Sequence, residues 1–500
     1  MANIEQITDF DTLKQIARLQ EIEIERLHGR LAGLTEKLAK LEGKEPIEQL
    51  QLEFMKLKEQ VAAQRNKLYG KSSERRRRKT RDKKEPKERT KFGYRDQPDL
   101  PVEVVEHKLE PDEQSCKICG GVPEATGKIV EAGEEITVVE REYKLVRHQL
   151  SVYGCKCPGE QVVAPAPVKL IPSGRYSLDF AISVAIDKYL HHLPLARQVR
   201  AMRMNGLIID TQTLWDQINA LAELLRPSYE LIRDYILGAD VVGADETSWR
   251  LMTKNSSKRW WVWAITTHDA VYYQVHEHRD AEAARACLGD YKGTVVCDAY
   301  SSYQSLATAT PGLLLAYCWA HVRRKFIEAH PAYPDECDVV LDLIDELFLI
   351  ERTVPAPERL EGQAKLDAIA QRAALRDSKS RTITDQIAKW AQEQVALPQS
   401  KLAKAIGYLS NQWKPLLRFL DDPLIPIHNN HTEQEVRNWV LGRKNHYGSR
   451  SRRGTEVAAI LYTVLESARL RGVNPRDYLR IAAEAAIRQP GRATLPHQLV

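Results

Sequence analysis

The stretch Val241-Val242-Gly243-Ala244-Asp245-Glu246-Thr247-Ser248-Trp249 opens a strand-rich segment, and Trp260-Trp261-Val262-Trp263-Ala264-Ile265 and Ala270-Val271-Tyr272-Tyr273-Gln274-Val275 follow it. Each run is β-branched or aromatic and bounded by polar or turn residues, which predicts three sequential strands in a meander. Asp280-Ala281-Glu282-Ala283-Ala284-Arg285-Ala286-Cys287-Leu288 is helical by composition, and Gly293-Thr294-Val295-Val296-Cys297-Asp298-Ala299-Tyr300 reads as a fourth strand. An acidic residue closes both the first and the fourth. Leu313-Leu314-Leu315-Ala316-Tyr317-Cys318-Trp319-Ala320-His321 supplies a fifth strand, with Val322-Arg323-Arg324-Lys325-Phe326 starting a basic helix.

Strand, strand, strand, helix, strand is the order of an RNase H-like domain, in which the crossover helix makes the first and fourth strands parallel neighbours. Asp245 and Asp298 then face each other at the sheet's rim. Two close carboxylates repel, and their ionised state is costly unless a cation lies between them. Three can hold two divalent metals, roughly 3.5–4 Å apart, which serve the attacking and the leaving oxygens of a phosphodiester. Oxygen ligands suit hard Mg²⁺. The best candidate for the third carboxylate lies far downstream, in Asn429-Asn430-His431-Thr432-Glu433-Gln434-Glu435-Val436-Arg437.

Asp245-Glu246-Thr247, Asp298-Ala299-Tyr300 with Tyr303, Cys318-Trp319-Ala320-His321 with Arg323-Arg324-Lys325-Phe326, and Asn429-Asn430 with Glu433, Arg437 and Gly442-Arg443-Lys444-Asn445 closely resemble the DDE transposases of insertion-sequence family sixty-six. The resemblance spans nearly the whole chain. It implies that Asp245, Asp298 and Glu433 are the catalytic triad, 53 and 135 residues apart, binding two catalytic Mg²⁺. The family usually has an arginine after the glutamate and a proline after the second arginine; this chain has Gln434 and Asn438.

Five hundred residues suggest about three domains. Charge is concentrated: residues 65–92 hold 14 Lys or Arg against 4 Asp or Glu, a local +10 within a chain of net +5. No signal peptide is visible, since Glu5, Asp9 and Asp11 precede any apolar run, and Leu313 to Ala320 is too short to span a bilayer. A cytoplasmic, nucleoid-associated protein with no membrane partner is expected. Eight cysteines do not suggest a disulfide scaffold.

Residues 1–64 read as a coiled-coil dimerisation region. Ile24, Leu27, Leu31, Leu34, Leu38 and Leu41 alternate three and four apart; Pro46 interrupts, and Leu50, Phe54, Leu57 and Val61 resume the spacing. The alternative is a hairpin packed on its own protein, since Gly29, Gly33 and Gly43 weaken an isolated coil. Residues 65–100 form a basic linker in which Arg75, Arg76, Arg77, Arg78 and Lys79 can bind DNA phosphates without sequence preference, or act as a solvated spacer.

Within 101–170, Cys116, Cys119, Cys155 and Cys157 form two pairs that can hold a structural Zn²⁺ in a zinc ribbon. The first pair has knuckle spacing; the second has one intervening residue where two are more usual. The family resemblance implies a zinc module here that helps recognise DNA ends. Residues 171–237 are helical: Leu193-Pro194-Leu195 starts one helix, Asn205-Gly206 makes a turn, and Asp210 caps the next, a helix-turn-helix-like arrangement.

The RNase H-like core then comprises 238–336 and a final helix in 422–449, interrupted by an all-α insertion at 337–421 and followed by a C-terminal helical region, 450–500. The fold is thus multidomain α/β. Glu246 should point away from Asp245, as Cys297 does from Asp298, because side chains alternate along a strand. Cys287, Cys297, Cys318 and Cys337 read as core thiols. Arg323 and His321 can contact a phosphate near the site, or His321 can simply cap the following helix, and Arg437, four residues after Glu433, can orient that carboxylate or contact phosphate. Arg443 and Lys444 offer further phosphate contacts.

The expected function is that of a DNA transposase acting on mobile-element ends and target DNA. It acts as a homodimer or higher oligomer, with small companion proteins implied by the resemblance. The competing readings are a non-catalytic DNA-binding regulator derived from a transposase and an RNase H-like nuclease without strand transfer.

Overall fold

The computed structural model describes Gly33 and residues 47–69, 141–153, 162–253 and 256–499. The chain divides into two units, 1–74 with 143–500, and 75–142; everything below concerns the first. Cys116, Cys119, Cys155, Cys157, the Arg75–Lys79 run and the first leucine seam lie outside the described residues.

Helix α1 (Ile47–Tyr69) carries the second seam, and Leu57 and Val61 are buried by the chain's own helices. Glu59 Oε1 accepts hydrogen bonds from the Tyr333 hydroxyl at 3.3 Å and the Lys401 amide at 2.6 Å. Helix α1 thus packs on its own protein. Strands β1 (Val152–Tyr153) and β2 (Val162–Val163) pair antiparallel.

Three helices precede the main sheet: α2 (Leu178–Tyr189), α3 (Leu195–Met204) and α4 (Thr211–Leu237). Gly206, at φ +80°, makes the turn between α3 and α4 in a region that favours glycine. Asp210 then caps α4 by accepting from the Thr213 amide at 2.7 Å. Leu214, Ile218, Leu221 and Leu225 recur at helical spacing and are all fully buried, so α4 is a core helix for most of its length.

The sheet is built from β3 (Val241–Thr253), β4 (Ser256–Thr266), β5 (Val271–His276), β6 (Thr294–Cys297) and β7 (Leu314–Tyr317), in spatial order β5-β4-β3-β6-β7. β3, β4 and β5 are antiparallel, whereas β6 runs parallel to β3 and to β7. The parallel step is made through α5 (Ala281–Leu288) and the next through α6 (Ser301–Ala309). The β3–β4 hairpin is longer than the expected strands, because Arg250–Thr253 pairs with Ser256–Arg259, a segment without an apolar residue.

The expected fifth strand ends early. β7 stops at Tyr317 and α7 (Trp319–Ala329) begins two residues on, so His321 lies in a first helical turn and not on a strand. The apolar run continues unbroken across the junction because Trp319 and Val322, like the strand before them, are buried.

Helices α8 (Pro334–Glu351), α9 (Gly362–Leu375), α10 (Arg381–Glu393), α11 (Lys401–Asn411) and α12 (Trp413–Asp421) form the inserted all-α portion. The chain returns to the sheet as α13 (Asn430–His446), then α14 (Arg452–Leu470) and α15 (Pro475–Arg488). Trp439 of α13 packs against Trp249, Tyr273 and Tyr462, with ring centroids 4.8, 5.6 and 4.6 Å away. Such aromatic contacts contribute roughly 0.5–1.5 kcal/mol each beyond area burial. The edge of β5 is sealed by α14: Ser467 Oγ accepts from the Val271 amide and donates to its carbonyl, and Thr463 Oγ1 accepts from the Tyr273 amide. An edge so covered cannot template pairing with another chain. Among the described residues no helix is long and apolar enough to cross a membrane.

Candidate active site

Gly243 determines how the site closes. It lies two residues before Asp245, on the same face of β3, and α13 comes down onto that face. A Cβ at Gly243 would stand 2.0 Å from Thr432 Oγ1 and 2.9 Å from Asn429 Oδ1. Only glycine leaves that space. Asn429 Nδ2 donates to the Ala244 carbonyl at 2.8 Å, Thr432 Oγ1 donates to Asn429 Oδ1 at 2.7 Å, and Thr432 and Thr266 hydroxyls bond at 2.7 Å. These buried contacts seat the first turn of α13, where Glu433 lies, over the middle of β3.

Gly243 pairs with Val296 across the parallel β3–β6 step. Two residues further along both strands come Asp245 and Asp298. Burial pushes the Asp245 carboxyl well above its ordinary value, and the charges of Glu246, Glu433 and Asp298 push it the same way. The opposing influence is the Glu246 amide, which donates to Asp245 Oδ1 at 2.9 Å. Asp298 Oδ1 accepts from the Tyr300 amide at 3.0 Å. Glu433 Oε1 is buried without a hydrogen-bond partner, 3.7 Å from His321 Nε2, and its Oε2 lies 3.8 Å from Arg324 Nη2. Ligand atoms of Cys318, His321 and Glu433 all lie within 4.8 Å of one another. Burial holds the His321 imidazole below its ordinary value, against the opposite pull of Glu433.

Glu246 points the other way, as alternation requires. Its Oε1 accepts from Arg279 Nε at 2.8 Å and its Oε2 from the Tyr303 hydroxyl at 2.7 Å. The Arg279 guanidinium lies 3.8 Å over the Tyr300 ring and 4.9 Å over that of Trp261. The Tyr300 hydroxyl donates to the Arg279 carbonyl at 2.6 Å. This buried cluster braces the loop bearing Asp298 from behind. Cys287, Cys297, Cys318 and Cys337 are all buried.

Asp245 thus feels the charges of both Asp298 and Glu433. Of the basic residues expected to contact phosphates, Arg323 and Arg443 are engaged within the protein, whereas Arg437 and Lys444 are exposed. Arg323 Nε donates to Asp345 on α8 at 2.8 Å, and its neighbour Arg324 is the arginine that faces Glu433. Arg437 is exposed and forms no ion pair with Glu433 among the described residues. Arg443 is held by the Ser248 carbonyl and by Ser248 Oγ at 2.7 Å, whereas Lys444 is exposed. Glu435, on another face of α13, is buried and ion-paired with Arg469, which also holds Glu466 at 2.5 Å.

This donor set fits divalent cations. The charges of Asp298 and Glu433 both reach Asp245, an acceptor oxygen of Glu433 is buried and unpartnered, and no ion pair to Asp245 offsets the repulsion among the described residues; the ligand atoms that lie within 4.8 Å of one another are those of Cys318, His321 and Glu433. A carboxyl raised in the folded state keeps a proton that the unfolded chain has lost. Metal-free stability therefore falls as pH rises above the ordinary value of 3.8. Metal-free Asp245→Asn is accordingly expected to melt higher than the parent at pH 8, by roughly 2–4 °C per kcal/mol gained, and the gap should narrow at pH 4. Mg²⁺ should raise the parent's melting temperature and leave the variant's nearly unchanged. Equal melting of the two proteins at pH 8 without metal would show that the Asp245 charge costs nothing.

The family model described as Transposase IS66 family matches residues 173–457, more than half of the chain. The chain is also similar to three uncharacterized proteins of Sinorhizobium fredii. It is 26% identical to y4hP over 73% of this chain and 69% of that protein, and 27% identical to y4jD over 76% of each. It is 28% identical to y4qI over 76% of this chain and 71% of that protein.

Proposed function

The chain belongs to the IS66 family of transposases, and from that premise we propose that it cuts the ends of a mobile element and joins them to target DNA. The observation that carries this reading is that the buried Asp245 of β3 feels the charges of Asp298, after β6, and of Glu433, at the start of α13, which supports a shared carboxylate centre. The sheet order, with its parallel crossover from β3 to β6, supports assigning the core to the RNase H-like class.

Asp245, Asp298 and Glu433 would hold two Mg²⁺. Bound there, the cations supply charge stabilisation to the attacking and leaving oxygens of a phosphodiester. The protein's own groups act by position. Thr432 and Asn429 fix the helix that presents Glu433, His321 and Arg324 flank that carboxylate, and the Glu246–Arg279–Tyr300 cluster holds the Asp298 loop. A water oxygen attacks phosphorus and the 3′ oxygen leaves as a hydroxyl. That hydroxyl then attacks a phosphodiester of the target, whose own 3′ oxygen departs. No bond between protein and DNA forms.

End recognition falls to the segments before the core. Arg197, Arg200 and Arg203 recur on α3 and are exposed, as are Thr211 and Gln212 at the start of α4, which supports contact of this helical pair with DNA. The zinc ribbon, an oligomer and companion proteins belong to the same reading.

The test is a nicking and joining assay on DNA flanking the coding gene, with Mg²⁺ or with EDTA. Nicked and joined products that need Mg²⁺ are the expected result. Nicks without joined products favour a nuclease. Binding without either product, with the companion proteins supplied, favours a regulator.

A further inference from the structure

The all-α insertion has no chemistry in the reading above, yet it contributes to a lysine-lined concavity. Where α11 packs on α7, a groove of about 560 Å³ is lined by Lys325, Lys401, Lys404, Glu328 and Tyr408 and by Ala63 of α1. Lys325 lies 3.8 Å from Glu328, which leaves Lys401 and Lys404 without an ion pair among the described residues. Lys404 is exposed and Lys401 half-buried. The residues that line the groove therefore bring three ammonium groups and one carboxylate, with the Glu59 carboxylate, bonded to the Lys401 amide, as the second acidic group beside it.

Helix α7 connects this groove to the carboxylate centre: Arg324 Nη2 stands 3.8 Å from Glu433 Oε2, and the next residue, Lys325, lines the groove. Lys325 Nζ lies 5.9 Å from the Tyr408 ring. Burial and the charge of Asp298 both push the Tyr408 phenol up, in keeping with a groove wall on the side of that carboxylate. A strand whose phosphodiester sits at the carboxylates must continue as a chain of phosphates, and a lysine-lined path starts at Lys325.

We propose that this groove is a track for the DNA backbone, in which Lys401 and Lys404 of the insertion contact phosphates flanking the cleaved bond. The proposal rests on the reading of the chain as a DNA-processing enzyme. The lysines are compact charges on flexible stems that offer no bidentate pattern for reading a base, so the contact is independent of sequence. Each phosphate neutralised releases counterions, and the logarithm of affinity falls with the logarithm of salt by about 0.9 per contact.

The test uses the full chain in Ca²⁺ and measures anisotropy of a labelled 60-base-pair duplex across a salt series. One duplex is taken from DNA flanking the coding gene, the other is of unrelated sequence. Lys401→Glu with Lys404→Glu should bind at least about tenfold more weakly, with a salt slope smaller by about 2; Lys401→Arg with Lys404→Arg should bind as the parent does. Equal weakening on both duplexes assigns the track to any DNA, including target; weakening confined to the flanking duplex assigns it to the element's end. Parental affinity and slope in the Glu variant overturn the proposal, as does equal weakening in the Arg variant, which would signal structural damage. Asp298→Asn in parallel separates the two readings. If it binds normally and the parent fails to nick DNA in Mg²⁺, catalysis falls while the track stands. If the parent binds neither duplex, both fall.

Discussion

Glu433→Gln is expected to lower Mg²⁺-dependent nicking at least about 1,000-fold, equivalent to ~4 kcal/mol of barrier, whereas Glu435→Gln should leave the rate within about threefold. The two residues are two apart on one helix and differ in what they face. Glu433 stands beside His321 and Arg324, with one oxygen buried and unpartnered, and its charge is felt at Asp245. Its amide replacement keeps the shape and removes the anionic oxygen that a divalent cation requires. Glu435 is committed to Arg469, which it shares with Glu466. Burial and the Glu435 charge both push the Glu466 carboxyl up. Removing one of two carboxylates that share an arginine relieves repulsion as it breaks a pair, so the cost to folding is small. The assay compares single-turnover rates on flanking DNA. A Glu433→Gln protein that retains most of its rate, or a Glu435→Gln protein that loses it while still folded, would transfer the role to Glu435.

Arg376→Ala is expected to cost about 3–5 kcal/mol of folding stability, the range for breaking a buried ion pair by removing one partner. Arg376 is fully buried at a π-helical turn, Arg376–Ser380, between α9 and α10. It forks onto Glu351 at 2.7 and 2.8 Å and donates to the carbonyls of Phe419, of Asp422 at 2.9 Å and of Ile425 at 3.0 Å. Alanine would leave Glu351 partly unpaired and three carbonyls without that donor. Arg376→Lys should lose nearly as much, because one ammonium cannot reproduce the fork. Denaturant unfolding followed by tryptophan fluorescence is a suitable readout, since Trp319 Nε1 donates to the Leu416 carbonyl in the same region. An unchanged midpoint would remove the arginine from any role in holding the insertion.

The strand meander was legible because Trp260–Ile265 and Val271–Val275 are buried on a sheet and carry β-branched and aromatic residues for that reason. Alternation along β3 also sorted Asp245 from Glu246 correctly. Helix α6 escaped notice, since Ser301–Ala309 is short and weakly patterned. The beginning of α7 was hidden by an apolar run that serves both a strand and a helix. Long-range partners were less legible still. Nothing local in Gly243 announces that Thr432 will occupy the space of its missing side chain, and nothing in Arg323-Arg324 says which arginine will turn toward Glu433. Those choices are made by α8, the next helix after α7, and by α13, brought back from far along the chain.

The hydrogen bond from Asn429 to the Ala244 carbonyl joins residues 185 positions apart. A nascent chain still attached to the ribosome has both aspartates in place long before α13 emerges. Until residue 446 has cleared the exit tunnel, the face of β3 at Gly243 has no cover and the third carboxylate is missing. On the proposed reading, a nascent chain in which α13 has not yet emerged does not cut DNA, and a message truncated within the insertion yields a protein that lacks the proposed third carboxylate.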